Sequence, residues 1–172
     1  GTLGITSAGA VTDSGTLVIT GATTISASGQ DITLDEAAST FGTLALTGVN
    51  VAVTDAGAVD LGASTVSGTL GITSAGAVTD SGTLAVTGAT TISASGQDIT
   101  LDESASTFGS LLLTGANVAV TDAGMVDLGA STVGGTLGIT SAGAVTDSGT
   151  LAITGATTIS ASGQDITLDE AA

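Results

Sequence analysis

The chain has 172 residues, 42% of them apolar, with 27 glycines, 16 acidic side chains and no Lys, Arg or His, for a net charge of −16. Nothing in it can neutralise a phosphate, so nucleic-acid binding through phosphate contacts and attraction to an anionic membrane surface are both excluded. Zero Cys removes disulfides, thiolate chemistry and Cys-type zinc sites, and no apolar run reaches the roughly 18 residues of a transmembrane helix.

In chain order, segments of alternating apolar and polar residues are separated by Gly, Ser, Ala or Asn clusters, the pattern of short strands joined by turns. They run over residues 2–6, 10–13, 16–20, 23–27, 31–35, 43–47, 51–55 and 58–62, with a shorter one at 65–67. No 3.6-residue period outlasts a single turn, so no helix is expected. The stretch from Asp35 to Phe41 reads as a protruding loop, with Phe41 and its copy Phe108 plugging the corner where the loop rejoins the body. Apolar residues at regular alternating positions argue against disorder, which favours acidic chains poor in Ile, Leu and Val.

A longer period overrides this local one. The words GTLGITSAGAVTDSGTL open the chain and return at Gly68 and Gly135, a 67-residue repeat. The first two copies differ at eight positions, and the incomplete third, from Gly135 to Ala172, departs from the first only where Val18 becomes Ala152. The organisation is therefore repeat 1 over 1–67, repeat 2 over 68–134 and a partial repeat 3 over 135–172, in one continuous solenoid. Neither end has the composition of a polar capping repeat, so the chain is expected to be a window from a much longer array.

The differences between copies indicate which way side chains point. Val18 becomes Ala85, Ala45 becomes Leu112 and Ala58 becomes Met125, whereas Leu44, Leu46 and Val59 keep their identity. A close-packed interior tolerates few changes of volume, so the variable positions face outward and the aliphatic ones inward. Thr, Ser, Ala and Asp are expected to face water. Nine short strands in each unit suggest an all-β parallel β-solenoid of three short strands per coil, with coils over Gly1–Gly21, Ala22–Gly48 and Val49–Ser67. The whole chain then makes about eight coils at about 4.8 Å each. Leu3, Ile25 and Val51 begin one inward column, Val11, Ile32 and Val59 a second, and Leu17 and Leu44 a third. A β-sandwich or propeller does not account for a unit of this length repeated almost unchanged.

The segments SGTLGITSAGAVTDSGTLAVTGATTISASGQDITL, STFGSLLLTGANVAVTDAG and DLGASTVSGTLGITSAGAVTDSG resemble the repeat arrays of filamentous-haemagglutinin-like bacterial surface proteins. The resemblance covers essentially the whole chain and carries no active-site motif. It implies a right-handed parallel β-helix exported to the cell surface of a Gram-negative bacterium, where it serves as the shaft of a very long adhesin-like protein. The expected partner is the chain itself, through continuation of the solenoid and end-to-end or lateral filament packing.

Carboxylates are the only ionisable side chains, so any chemistry rests on them. Asp35 with Glu36, and Asp55 with Asp60, are the candidates for an acid–base pair of glycoside hydrolysis. Each pair is copied in the next repeat, and Phe41 and Phe108 are the only aromatics, whereas a sugar-cleaving site is single and lined with stacking rings. Solvated charge that keeps the solenoid soluble is the simpler reading, and no enzyme activity or cofactor is expected. Calcium is the alternative ligand, with Asp35, Glu36, Asp102 and Glu103 as candidate oxygen donors, although the Gly-Gly-x-Gly-x-Asp calcium repeat is absent. A third reading is ice binding by outward Thr rows such as Thr2 with Thr6, Thr16 with Thr20 and Thr43 with Thr47, against which stand the Gly, Val, Ala and Leu between them.

Overall fold

Alternation decides the local structure. Along Val51–Asp55 the side chains at Val51, Val53 and Asp55 are buried, and those between them are not. Thr43–Gly48 alternates in the same way, burying Leu44 and Leu46. β-Branched and aliphatic residues suit such half-buried pleated surfaces. The computed structural model describes residues 1–169, and among these it contains strands and turns but no helix.

Each strand has too few apolar side chains to hold a core by itself, so strands stack. All pairings are parallel and build two eleven-stranded sheets, with a two-stranded ladder beside them. In the first sheet Leu3 lies beside Thr23, Thr23 beside Leu44 and Leu44 beside Leu61. In the second, Val11, Ile32, Val51 and Leu70 follow one another. The chain passes from sheet to sheet and back in each coil, giving a parallel β-solenoid of about eight coils. Its apolar interior is a cluster from Val11 to Ala161, including Leu44, Leu46, Val78, Ile99 and Leu128. Each fully buried Leu or Ile contributes roughly 1.5–3 kcal/mol over an exposed one.

The relation of the repeat to the coil differs from the expected three coils per unit. Leu3–Thr6 belongs to the first sheet, its copy Leu70–Ser74 to the second, and the third copy Leu137–Ser141 to the first again. Seven strand-to-strand steps in the first sheet separate the first copy from the third, so two repeats make seven coils and one repeat makes three and a half. One repeat supplies seven strands to the main ladders of the two sheets, an odd number, and its successor therefore starts on the opposite sheet. The expected columns change accordingly. Leu3 stacks on Thr23 rather than Ile25, whose neighbours are Ile5 and Leu46. Val51 and Val59 lie in different sheets from the residues expected beside them, while the Val11–Ile32 pairing stands. Leu17 is half-buried on the rim, away from Leu44.

Third, shorter strands widen one edge of the solenoid. Val18–Ile19 pairs with Thr40–Phe41, where the chain returns from the second sheet to the first. Ser64–Val66 and Leu84–Val86 lie on the opposite edge, and Ser131–Val133 with Leu151–Ile153 return to the original one. The wide edge thus changes sides with each repeat. The last two residues of the expected protruding loop, Thr40 and Phe41, belong to this ladder: Asp35 is exposed, but Ser39 and Phe41 are buried, and Phe41 fills the rim as the sequence suggests. Within Val59–Val66 one extra residue, near Gly62 and Ala63, separates the Leu44–Leu61 pairing from the Thr47–Thr65 pairing, a β-bulge that recurs opposite Leu111–Thr114.

Candidate functional site

The outward faces carry columns of small and hydroxylic side chains. Thr54, Thr73, Ser93, Thr114 and Thr132 occupy successive register positions on the second sheet, about 4.8 Å apart. The column beside it reads Ala52, Gly71, Thr91 and Leu112, so the hydroxyl array is one residue wide there. Of the T-x-x-x-T pairs, Thr2 and Thr6 are both exposed, but the other two do not form open rows on a sheet face. The Thr43 hydroxyl is turned to Asp60, donating to Oδ2 at 2.7 Å, and Thr16 with Thr20 lies along the wide edge rather than on a sheet face. The variable positions do point outward: Val18 is 67% and Met125 71% exposed.

Three aspartates depart from the expectation that Asp faces water. Asp55, Asp80 and Asp122 are buried at strand ends, on the inward side of the alternation. Each is held by backbone donors. Asp55 Oδ2 accepts from the Phe41 N–H at 2.8 Å and Oδ1 from the Gly57 N–H at 2.6 Å. Asp122 repeats this one unit on, accepting from the Phe108 and Gly124 N–H groups. Asp80 accepts from the Asp102 N–H at 2.9 Å and the Glu103 N–H at 3.4 Å, tying down the loop one coil above. Burial pushes the Asp122 carboxyl up from the usual carboxylate value against the pull of its two backbone donors. Burial likewise raises that of Asp80, its backbone donors opposing and the neighbouring charges of Asp102 and Glu103 adding to it. With no cation in the sequence, backbone N–H groups do the work that Lys or Arg does elsewhere.

The candidate calcium ligands lie at the starts of the loops that these aspartates cap. Asp35 and Asp102 are exposed, and Glu36 and Glu103 half-buried. The Asp35 N–H donates to Asp13 Oδ1 at 3.1 Å, the counterpart of the Asp80 contact, and the Glu36 carbonyl accepts from the Ser39 N–H at 2.9 Å in a turn. Among the described residues, no group of three or more His, Cys, Asp or Glu side chains is placed to hold a metal ion. The imagined pair Asp55 and Asp60 is not brought together: Asp55 is buried in the second sheet, whereas Asp60 lies in the first and accepts from the Thr43 and Ser81 hydroxyls.

A second polar ladder climbs the exterior. Asp31 Oδ1 accepts from both the N–H and the side-chain amide of Asn50 at 3.0 Å, and Asn50 Oδ1 accepts from the Thr69 N–H at 3.1 Å. Asp98, Asn117 and Thr136 repeat it. Inside, Ser64 and Ser131 each accept a backbone N–H and donate to a carbonyl of the bulge. Apart from the Ser64–Gly62 and Ser131–Gly129 bonds, which stay within one coil, these contacts join adjacent coils, and each occurs again at the same place in the next unit.

A family model described as repeats of unknown function (DUF5649) matches residues 1–47, 48–114 and 115–172. The chain belongs to this family of repeats. The complete middle match, 48–114, has the 67-residue period seen in the sequence, taken from a different starting point. No curated protein and no solved structure matches the chain. What unites these repeats here is a set of coil-to-coil contacts rather than a single differentiated cleft.

Proposed function

We propose that the chain is a segment of a rigid structural shaft, part of a long adhesin-like protein displayed outside a bacterial cell. The observation that carries this reading is the duplication of the load path. The buried carboxylate contacts of Asp55 and Asp122, the serine contacts of Ser64 and Ser131, and the Asp31–Asn50–Thr69 ladder with its copy all stitch one coil to the next. A solenoid built this way gains length with each repeat and no new chemistry, which suits a spacer. Its work is mechanical, without catalysis or a cofactor. Its surface charge of one sign limits aggregation, and the absence of Lys and Arg leaves trypsin-like proteases no bond to cut.

Antibodies raised against this chain provide the test, applied to intact cells and to denaturing gels of the parent polypeptide. A surface-exposed band many times larger than 15.9 kDa is expected. A band near that mass, or one confined to the cell interior, overturns the shaft reading. The hydroxyl column from Thr54 to Thr132 favours one second reading, a water-ordering or ice-binding face. Thermal hysteresis in solutions of the chain tests that reading, and its absence removes it.

A further inference from the structure

We infer that every surface feature of the 67-residue unit is presented alternately on opposite faces of the solenoid, so that a rigid partner with two like sites facing the same way spans repeats one and three and never adjacent ones. The inference rests on the coil register and not on the shaft reading, so either can fail without the other.

Thr24, Thr91 and Thr158 occupy one position in three successive units, and all three are exposed. Thr24 lies in Thr23–Ser26 of the first sheet, Thr91 in Ala89–Ser93 of the second, and Thr158 in Thr157–Ser160 of the first again. Seven steps separate the strands of Thr24 and Thr158. At about 4.8 Å per step they are about 34 Å apart along the axis on one face, with Thr91 about 17 Å along and on the reverse face. The acidic loops follow the same rule. Asp35 and Glu36 stand where the chain returns from the second sheet to the first, and Asp102 and Glu103 where it leaves the first for the second.

Copy number then has a directional consequence. Inserting one unit between two points lengthens the solenoid by about 17 Å and swings the far point through half a turn; inserting two lengthens it by about 34 Å and restores the direction. Each unit carries its neighbours round with it, so the same contacts form in either sheet. Ile25 and Leu46 neighbour each other in the first sheet, and their copies Ile92 and Leu113 do so in the second.

The chain has no Cys, so Thr24→Cys with Thr91→Cys, and Thr24→Cys with Thr158→Cys, can be spin-labelled without background and measured by pulsed electron paramagnetic resonance. The Thr24/Thr158 pair is expected at about 34 Å, seven strand spacings along one face. The Thr24/Thr91 backbones are separated by about 17 Å along the axis and about 10 Å between sheets, about 20 Å in all, and labels pointing away from each other read longer. A whole number of coils per repeat places all three labels on one face; with three coils the spacings are about 14 and 29 Å, and that result overturns the inference. In a chain lacking residues 68–134, the Thr24 and Thr158 positions should read as the Thr24/Thr91 pair does. A distance matching adjacent units on one face in that chain also overturns it.

Discussion

Asp122 offers the sharpest test of how an all-acidic chain holds its coils together. Its side chain is 2% exposed and accepts from the N–H groups of Phe108, at 2.9 Å, and Gly124. Asp122→Ala leaves the buried Phe108 donor without a partner, at about 1–3 kcal/mol, while the Gly124 donor is nearer solvent and costs less. A net loss of about 2–4 kcal/mol is expected in chemical unfolding followed by circular dichroism. Asp122→Asn removes the buried charge but keeps one acceptor oxygen for two N–H donors and turns its NH2 on the other, so it should cost about 1–3 kcal/mol at neutral pH. The pH dependence separates charge from geometry. Because burial raises the Asp122 carboxyl above the unfolded value of 3.8, the folded chain binds more protons than the unfolded one between those two values. The contribution of Asp122 to stability therefore grows as pH falls through its folded value and is complete below the unfolded one. The wild type should gain on Asp122→Asn as the solution is acidified from pH 7 towards about pH 4. An Asp122→Ala variant within about 0.5 kcal/mol of wild type, or a wild-type advantage that shrinks in acid, refutes the reasoning.

Three further substitutions probe the interior. The Thr90 hydroxyl is fully buried between Leu70 and Leu111 with no hydrogen-bond partner, so Thr90→Val should raise stability by about 1 kcal/mol; a lower melting temperature would show that the hydroxyl has a use. A Cβ on Gly88 meets the Gly68 carbonyl oxygen at 2.5 Å, so Gly88→Ala should cost about 1–3 kcal/mol, whereas Gly4→Ala, with open space around it, should cost far less in the same denaturant titration. Leu44→Asp places a charge where no cation exists to meet it and should unfold its coils, detected as lost hydrogen-exchange protection over residues 23–61, while the adjacent Ala45→Ser, on the outward side, should be nearly silent. Equal loss in both variants contradicts the assignment of faces.

The elements were legible because each strand carries its own signal. All nine expected segments are strands, displaced by a residue or two, since a two-residue alternation between turn clusters needs no tertiary information. Thr40–Phe41 was missed because two residues show no alternation, and its strand exists only through the Val18–Ile19 ladder beneath it. The inward aspartates were readable in principle. Val51, Val53 and Asp55 share one parity, and continuing the alternation to the last residue puts the carboxylate inside; the prior that Asp seeks water overrode it. The coil was harder. Counting nine strands and dividing by three presumes that a repeat closes on itself, yet nothing in the physics of stacking requires a whole number of turns per unit. A parallel ladder requires only that each strand find an aliphatic neighbour one coil further on, as Val11, Ile32, Val51 and Leu70 do in turn. A unit that satisfies this with an odd number of strands must alternate between the sheets. The half-turn carries each residue's neighbours with it, so Ile25 lies between Ile5 and Leu46 and its copy Ile92 between their copies Ile72 and Leu113. Inward positions hold their volume because each is packed against aliphatic neighbours in whichever sheet it lies, beside the freely varying outward ones at Val18, Ala45 and Ala58.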